Sequence, residues 1–206
     1  MSNHEKSGRR MHRLRRKAEM GMGTLIIFIA MILVAAIAAS VLISTTGNLQ
    51  NKALATGKAT TQEVGTSIQV VRIYAENGTA QTVDYFYQSV KLSSGSDPVR
   101  LADMLMTVGL NNVSQDYGYS ASVDCDDIST MSAGGDFGMK YQITGTNNKS
   151  GYVTKGDVIQ LCWQSPRKVR EGEDIKVTIV PMVGNPVVTE SSAPELMIAK
   201  RIHIFP

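Results

Sequence analysis

The segment Asp124-Cys125-Asp126-Asp127 carries the side chains best suited to bind a divalent cation. Calcium is coordinated by oxygen atoms, so Asp124, Asp126 and Asp127 are the candidate ligands of a structural calcium ion. The ligand spacing of a calcium-binding loop is absent, and a solvated acidic loop is therefore the favoured interpretation. We expect no other cofactor.

Residues for catalysis are few. His4 and His12 precede a long apolar segment, which leaves His203 as the one histidine of the remaining chain. It lies in an alternating pattern typical of a strand, where a histidine is usually a surface side chain or a hydrogen-bonded one. The sequence has no glycine-rich phosphate loop, no Ser–His–Asp order and no paired metal-ligand spacing. We therefore expect no enzymatic activity.

Cys125 and Cys162 are the two cysteines of the chain. In an exported domain such a pair indicates one disulfide. Two separate buried thiols are the alternative, which suits Cys162 beside Trp163 in an apolar segment.

Three sequons fall in predicted turns, where an attached N-glycan would point outward. Short sequons also arise by chance, but three in one exported domain favour glycosylation. They are Asn77-Gly-Thr, Asn112-Val-Ser and Asn148-Lys-Ser.

An apolar segment near the N-terminus determines on which side of a membrane the rest of the chain lies. Residues 20–51 contain no charged side chain, and residues 22–43 are apolar on all sides of a helix. A helix of this length spans about 33 Å, which is enough to cross the hydrocarbon core of a membrane, about 30 Å. A secretory signal has a shorter apolar region and a small-residue cleavage site, so the simplest interpretation is a retained single-pass anchor.

Basic residues before this segment predict its orientation. One acidic residue, Glu5, precedes the helix together with seven basic ones, which places the N-terminus in the cytoplasm and residues after about 46 outside. The basic residues are Lys6, Arg9, Arg10, Arg13, Arg15, Arg16 and Lys17.

Small residues within the apolar segment favour close packing between helices. The pairs Ala35/Ala39 and Ala36/Ser40 have the spacing that lets two helix backbones approach closely. Helix propensity alone explains the alanines equally well.

The chain after about residue 66 has the alternation of β-strands. In 174–180, for example, Ile175, Val177 and Ile179 share one face. Turn-forming residues separate the strand patterns, and residues 66–206 suffice for one packed β-domain, most simply a sandwich. The helix continues past residue 44 and is expected to kink or end near Gly47, Gly57 or Gly65. Strands are predicted at 67–74, 83–92, 139–144, 158–163, 174–180 and 201–205.

The junction between the basic region and the apolar segment resembles the start of archaeal flagellins (archaellins), which are type IV pilin-like filament subunits. The matching stretch runs from Arg16-Lys17 through Gly21 and Gly23 to Ala36. This resemblance implies that Arg16, Lys17, Gly21 and Gly23 form the recognition sequence of a leader that is cleaved between Ala18 and Glu19. The family usually has glycine at the position of Ala18. Bacterial pilins carry glutamate at the position of Gly23, so the match favours an archaellin.

The rest of the chain is similar to archaellins as well. Residues 90–104 resemble the family's strand, small-residue turn and Leu-x-Asp stretch, and residues 194–206 resemble its final strand. The resemblance implies an Ig-like antiparallel β-sandwich that forms the outer layer of the filament. Some archaellins bind metal in this domain, which makes the calcium site worth testing.

Together these features predict an α+β chain in three parts. Residues 1–18 are a leader removed by an archaeal prepilin/preflagellin peptidase, 19–65 a hydrophobic helix that is first a membrane anchor and then filament core, and 66–206 the extracellular β-sandwich domain. Removal of the leader changes the net charge from +3 to 14 − 17 = −3, so the basic pI implies no nucleic-acid partner.

The leading functional hypothesis is a structural subunit of the archaeal flagellum (archaellum), a polymer with itself or with other archaellins on the cell surface. The alternatives are an archaeal adhesion pilin and a membrane-anchored extracellular binding or enzyme domain. The anchored domain differs from the filament subunits in one observable property, because it retains residues 1–18.

Overall fold

The protein divides into two compact units, Met1–Gly57 and Lys58–Pro206. The computed structural model describes residues 3–76 and 81–205, with side chains described from residue 21 onward. Helix α1 spans Asn3–Gly65, so its last turns belong to the second unit.

Helix α1 is continuous through Gly47 and Gly57 and ends at Gly65. No proline interrupts it, which removes the usual cause of a sharp kink. Between Gly21 and Gly65 it is long and apolar enough to cross a membrane. The hydroxyl of Thr45 donates to the carbonyl of Val41 at 2.9 Å, so this polar group is satisfied within the helix itself.

The second unit is built from β-strands and two short 3-10 helices, Leu101–Asp103 and Ile128–Thr130. The described strands are β1 (Ile68–Glu76), β2 (Thr82–Leu92), β3 (Val99–Arg100), β4 (Leu105–Leu110), β5 (Val113–Tyr119), β6 (Asp136–Ile143), β7 (Tyr152–Val153), β8 (Val158–Arg170), β9 (Asp174–Val180), β10 (Val187–Ser192) and β11 (Arg201–Phe205).

Most of these strands join in one sheet of order β10-β9-β4-β5-β6-β8-β2-β1-β11, while β3 pairs with β7. Every pairing is antiparallel except that of β5 with β6, which is parallel over two residue pairs, Gly118 with Asp136 and Tyr119 with Phe137. This short junction connects two antiparallel halves, β11-β1-β2-β8-β6 and β10-β9-β4-β5. The predicted α+β chain with an antiparallel β-domain is confirmed, apart from this parallel pair.

The main core forms between the two halves. Phe86 and Trp163 stack at 5.8 Å on one half, and Met106 and Ile179 contribute from the other. The hydroxyl of Tyr117 crosses between them and donates to the carbonyl of Gln164 at 2.7 Å. Burying each such side chain contributes about 1.5–3 kcal/mol, so the two halves stabilise one another.

The end of α1 is fastened to the sandwich within the second unit. The backbone N–H of Asn185 donates to the carbonyl of Thr66 at 3.0 Å, and the N–H of Ser67 donates to the hydroxyl of Ser96 at 3.0 Å. Gly184 has φ +118°, and a Cβ there would lie 3.0 Å from the Thr66 side chain. A glycine is therefore required where this loop approaches the chain leaving the helix.

Asp157 organises the long loop between β6 and β8. Its carboxylate is buried and accepts hydrogen bonds from the N–H of Gly145 at 2.7 Å and from both the N–H and the hydroxyl of Thr154, at 2.8 and 2.7 Å. Burial opposes ionisation of Asp157, but these hydrogen bonds, with a further one from Asn148, outweigh it and hold the pKa of the carboxyl below its ordinary value.

Replacement of this carboxylate tests its contribution. We expect Asp157→Asn to lower the free energy of unfolding at pH 7 by about 1–3 kcal/mol, because buried donors lose a charged acceptor. Since the pKa is lowered in the folded state, this contribution is present above about pH 4 and is lost as the pH falls through the folded-state pKa. Urea unfolding of the full chain in detergent, followed by fluorescence of its single tryptophan, Trp163, measures both effects.

Asp103→Asn is the matched control. Its carboxylate pairs with Arg100 at the surface and the hydrogen bond from Arg100 lowers its pKa too, but water screens the pair. Equal losses of stability in the two variants would contradict a special role for Asp157.

Candidate functional site

The apolar part of α1 is the largest exposed hydrophobic surface of the described chain. Its large side chains are exposed all round the helix, as for Phe28, which is 63% exposed. A surface of this kind is not stable in water and requires lipid or other apolar side chains. The small residues Ala35, Ala36, Ala39 and Ser40 lie within this surface as two i, i+4 pairs.

The leader junction lies in the same helix. The side chains of Arg16, Lys17, Ala18 and Glu19 are outside the described residues. Gly21 and Gly23 are described, and a Cβ at either one would meet no described atom within 4 Å beyond the adjacent backbone of the helix. Each glycine costs a helix about 1 kcal/mol relative to alanine. The same open space surrounds Gly47 and Gly57, so it does not distinguish the two junction glycines from the others in the helix.

A segment of residues 120–135 covers the outer face of the β1-β2-β8-β6 half. Cys125 in this segment forms a disulfide with Cys162 of β8, with their Cα atoms 5.5 Å apart. Around the disulfide, Tyr74, Tyr87 and Met131 form a second buried cluster, in which the two tyrosine rings stack at 5.0 Å. Burial raises the pKa of Tyr87 to about 12, and Glu76 adds to the shift.

Gly138 allows this close approach. A Cβ at position 138 would lie 2.8 Å from the Val123 side chain and 3.0 Å from the sulfur of Cys162. Larger residues are therefore excluded at the point where the covering segment crosses β6. Sequence analysis missed this glycine, because its role depends on a contact between distant residues.

The acidic residues of this segment have separate partners. Asp124 accepts the backbone N–H of Asp126 at 3.0 Å, and Asp127 accepts the N–H of Ser129 at 2.9 Å, capping a 3-10 helix. The carboxylate of Asp126 pairs with Lys140 at 2.5 Å. Within the described residues, no group of three or more His, Cys, Asp or Glu side chains could hold a metal ion. The calcium hypothesis gains no support from this arrangement.

His203 is exposed on β11, with its ring 6.3 Å from that of Tyr74. Tyr74 is also its partner across the strand pair. Neither the ring contact nor this pairing places a carboxylate beside His203.

Two of the three sequons are described, and both are exposed. Asn112 lies in the tight turn between β4 and β5, and its side-chain oxygen accepts hydrogen bonds from Arg167 at 3.0 and 2.7 Å. The same guanidinium pairs with Glu173 and lowers the pKa of that carboxyl. Asn148 donates to Asp157 at 3.5 Å, whereas Asn77 lies outside the described residues.

The contact of Arg167 with Asn112 uses the amide oxygen and not the nitrogen to which an N-glycan is attached. The side chain is therefore held in place without its reactive atom being used. The roles of Arg167 and Glu173 were not predicted from the sequence. The one signal there is a basic and an acidic residue on either side of the polar end of β8.

Comparison with known proteins decides the family. The sequence model of the family described as archaeal-type flagellin matches residues 18–191. The chain belongs to the archaeal-type flagellin family. The match covers the apolar helix, the disulfide and both described sequons, and it begins at the residue before the predicted cut.

Individual relatives agree with this assignment. Flagellin B1 of Thermoplasma volcanium is 40% identical over 138 residues, which are 64% of this chain and 55% of that relative. Flagellin B3 of Halobacterium salinarum is 32% identical over 183 residues, covering 87% of this chain and 90% of the relative. The first of these alignments thus spans little more than half of the relative's length.

The fold of this archaeal flagellin is shared with a solved filament protein. The structure of the archaeal flagellum of Methanospirillum hungatei has a TM-score of 0.65 to this chain at 14% sequence identity, covering 90% of this chain and 99% of that one. At this identity the likeness concerns the fold: a long helix followed by a β-domain.

Removal of the disulfide tests its role on the outer face. The bond closes a segment of 37 residues, for which the loop-entropy relation gives about 4 kcal/mol at 25 °C. We expect Cys125→Ala/Cys162→Ala to lower the free energy of unfolding by about 2–4 kcal/mol and to make residues 120–135 the first site of limited proteolysis. A reducing agent should have the same effect on the unmodified protein and none on the variant. Unchanged proteolysis after reduction would show that packing around Met131 alone holds the segment.

Proposed function

We propose that this archaeal flagellin is a structural subunit of the filament of an archaeal flagellum and serves swimming motility without catalysis. The observation that carries the proposal is the apolar surface of α1, which is exposed on every side. Each large apolar side chain left in water costs about 1.5–3 kcal/mol, so the segment as a whole costs tens of kcal/mol. Since a typical domain is stable by only about 5–15 kcal/mol, the helix must be enclosed.

Two environments enclose the helix in succession. In the precursor, α1 spans the cytoplasmic membrane with the basic leader inside, and a prepilin/preflagellin peptidase cuts between Ala18 and Glu19. In the filament, α1 packs against the same helix of other subunits, identical copies or other archaellins. Contact with aliphatic side chains replaces contact with lipid tails at similar free energy, and the small residues at Ala35/Ala39 and Ala36/Ser40 allow close approach.

The β-domain is then the extracellular outer layer of the filament. Its disulfide suits an oxidising exterior. An adhesion pilin shares the leader and helix, but the family match favours the flagellar role. A membrane-anchored binding domain would keep its leader, whereas a filament subunit would lose it.

Charge removal at the junction tests cleavage and assembly together. We expect Arg16→Gln/Lys17→Gln to leave uncleaved precursor in the membrane and to abolish filaments, because recognition is lost next to the cut. Intact mass and electron microscopy provide the measurements, and the unmodified filament subunit should begin at Glu19. Arg9→Gln/Arg10→Gln removes the same charge away from the junction and should be cleaved normally. A filament subunit that retains residues 1–18 would overturn the proposal.

The sequons provide a separate test of exposure on the filament surface. We expect Asn112 to carry an N-glycan, since it lies at an exposed hairpin turn with its nitrogen clear of the Arg167 contact. Ser114→Ala, which destroys this sequon but keeps Asn112, should remove one glycan from the intact mass, while Ser114→Thr should retain it. A mass difference that equals the Ser→Ala substitution alone would exclude a glycan at this position. The same comparison applies to Asn77 and Asn148.

A further inference from the structure

The described β-domain concentrates its exposed large apolar side chains at two places. One set surrounds the loop after β9 and comprises Leu105, Val180, Met182, Val183 and Val188, here called the proximal patch. The other is on residues 193–200, here called the distal loop, where Leu196 is 74% and Ile198 85% exposed. Contiguous apolar surface on a folded domain marks an interaction site more often than chance.

The proximal patch is continuous. Leu105 and Val180 are directly paired across β4 and β9 and face outward from the sheet. Val188 pairs with Thr178, one step along the same face from Val180. Met182, which is 75% exposed, and Val183 follow directly after β9 and line a groove of about 260 Å³.

The distal loop is held in a fixed shape. Met197 is buried in the main core, and its N–H donates to the carboxylate of Glu171 at 3.4 Å. Ala193 is also buried, and its N–H donates to the carbonyl of Glu173 at 2.9 Å. Since Met197 is anchored inward, its neighbours Leu196 and Ile198 lie on the outside of the loop.

Strand register places the two surfaces at opposite ends of the domain. The loop that carries Met182 is bound to Thr66, where the chain leaves α1, so the proximal patch lies at the end next to the helix. From there β10 runs away from the helix, and β1 likewise ends at Glu76, which pairs with Arg201. The distal loop connects these far ends. From Val188 to Ala193, five residue steps at about 3.3 Å each separate the two surfaces by roughly 16 Å.

We propose that the distal loop of one copy docks on the proximal patch of another copy, as a head-to-tail contact between β-domains. The proposal rests on the filament function argued above. Two different apolar surfaces at opposite ends of one domain can make a heterologous contact, and repetition of such a contact builds an open helical polymer instead of a closed dimer. The proximal patch adjoins the last turn of α1, which belongs to the same unit as the patch.

Paired cysteines test the geometry directly. The two native cysteines are bonded to each other, so introduced thiols are the reactive ones. Filaments of the full chain carrying both Met182→Cys and Ile198→Cys are treated with a short bismaleimide and separated under denaturing conditions. A head-to-tail contact should give a ladder of covalent multimers, because every subunit links to two neighbours.

Each single-cysteine chain is the control, since it cannot form products larger than a dimer. Filaments that form normally but give no ladder, although both thiols react with a monofunctional maleimide, overturn the contact and leave the filament function intact. Dimers from Met182→Cys alone, without a ladder, also overturn it and indicate patch-to-patch pairing. If the unmodified chain forms no filament at all, both proposals are overturned.

Polar substitution measures how much the contact contributes. We expect Leu196→Ser/Ile198→Ser filaments to lose subunits at least about tenfold more readily on mild heating, a change that corresponds to about 1.4 kcal/mol. Ile143→Ser is the matched control, because Ile143 is 59% exposed but lies on β6, outside both surfaces. Equal subunit loss from the two variants overturns the contact.

Discussion

The fold depends on one constraint, which is that α1 has no polar face. Contact with a β-domain covers only one side of a helix, so a helix that is apolar on every side would still expose apolar surface to water. The described chain accordingly leaves Leu25, Phe28 and Ile32 exposed. The β-domain solves a different problem: it is a self-sufficient core with its own disulfide. In the proposed function, the helix therefore exchanges lipid for other subunits without a change in the outer fold.

Different physical devices stabilise two parts of the outer domain. At the end next to α1, backbone hydrogen bonds to Thr66 and the tight approach of Gly184 fix the junction. Across the outer face, a disulfide and Gly138 fix a segment that has little regular structure. Each device fixes a part of the chain that has no regular strand pairing of its own.

Fold class was predictable because local patterns dominate it. The alternation at 174–180 and 201–205 matches β9 and β11, and the uninterrupted apolar segment matches α1. Strands β5 and β10 escaped prediction, since their exposed, polar residues are held by pairing with β4 and β9 and carry little pattern of their own. Strand β4 was also missed, although Met106, Val108 and Leu110 alternate in it. The roles of Gly138 and Arg167 were not predictable, because each depends on residues distant in sequence.

Hydrophobic enclosure explains why subunits associate, but not how they are aligned. Contact between aliphatic helices is nearly non-directional, and a helix of Leu, Ile and Val would accept many registers at similar free energy. A filament with one helical symmetry therefore needs directional features. The two apolar surfaces at opposite ends of the outer domain would supply such features. In the proposed filament, strength and register then arise from different parts of the same chain.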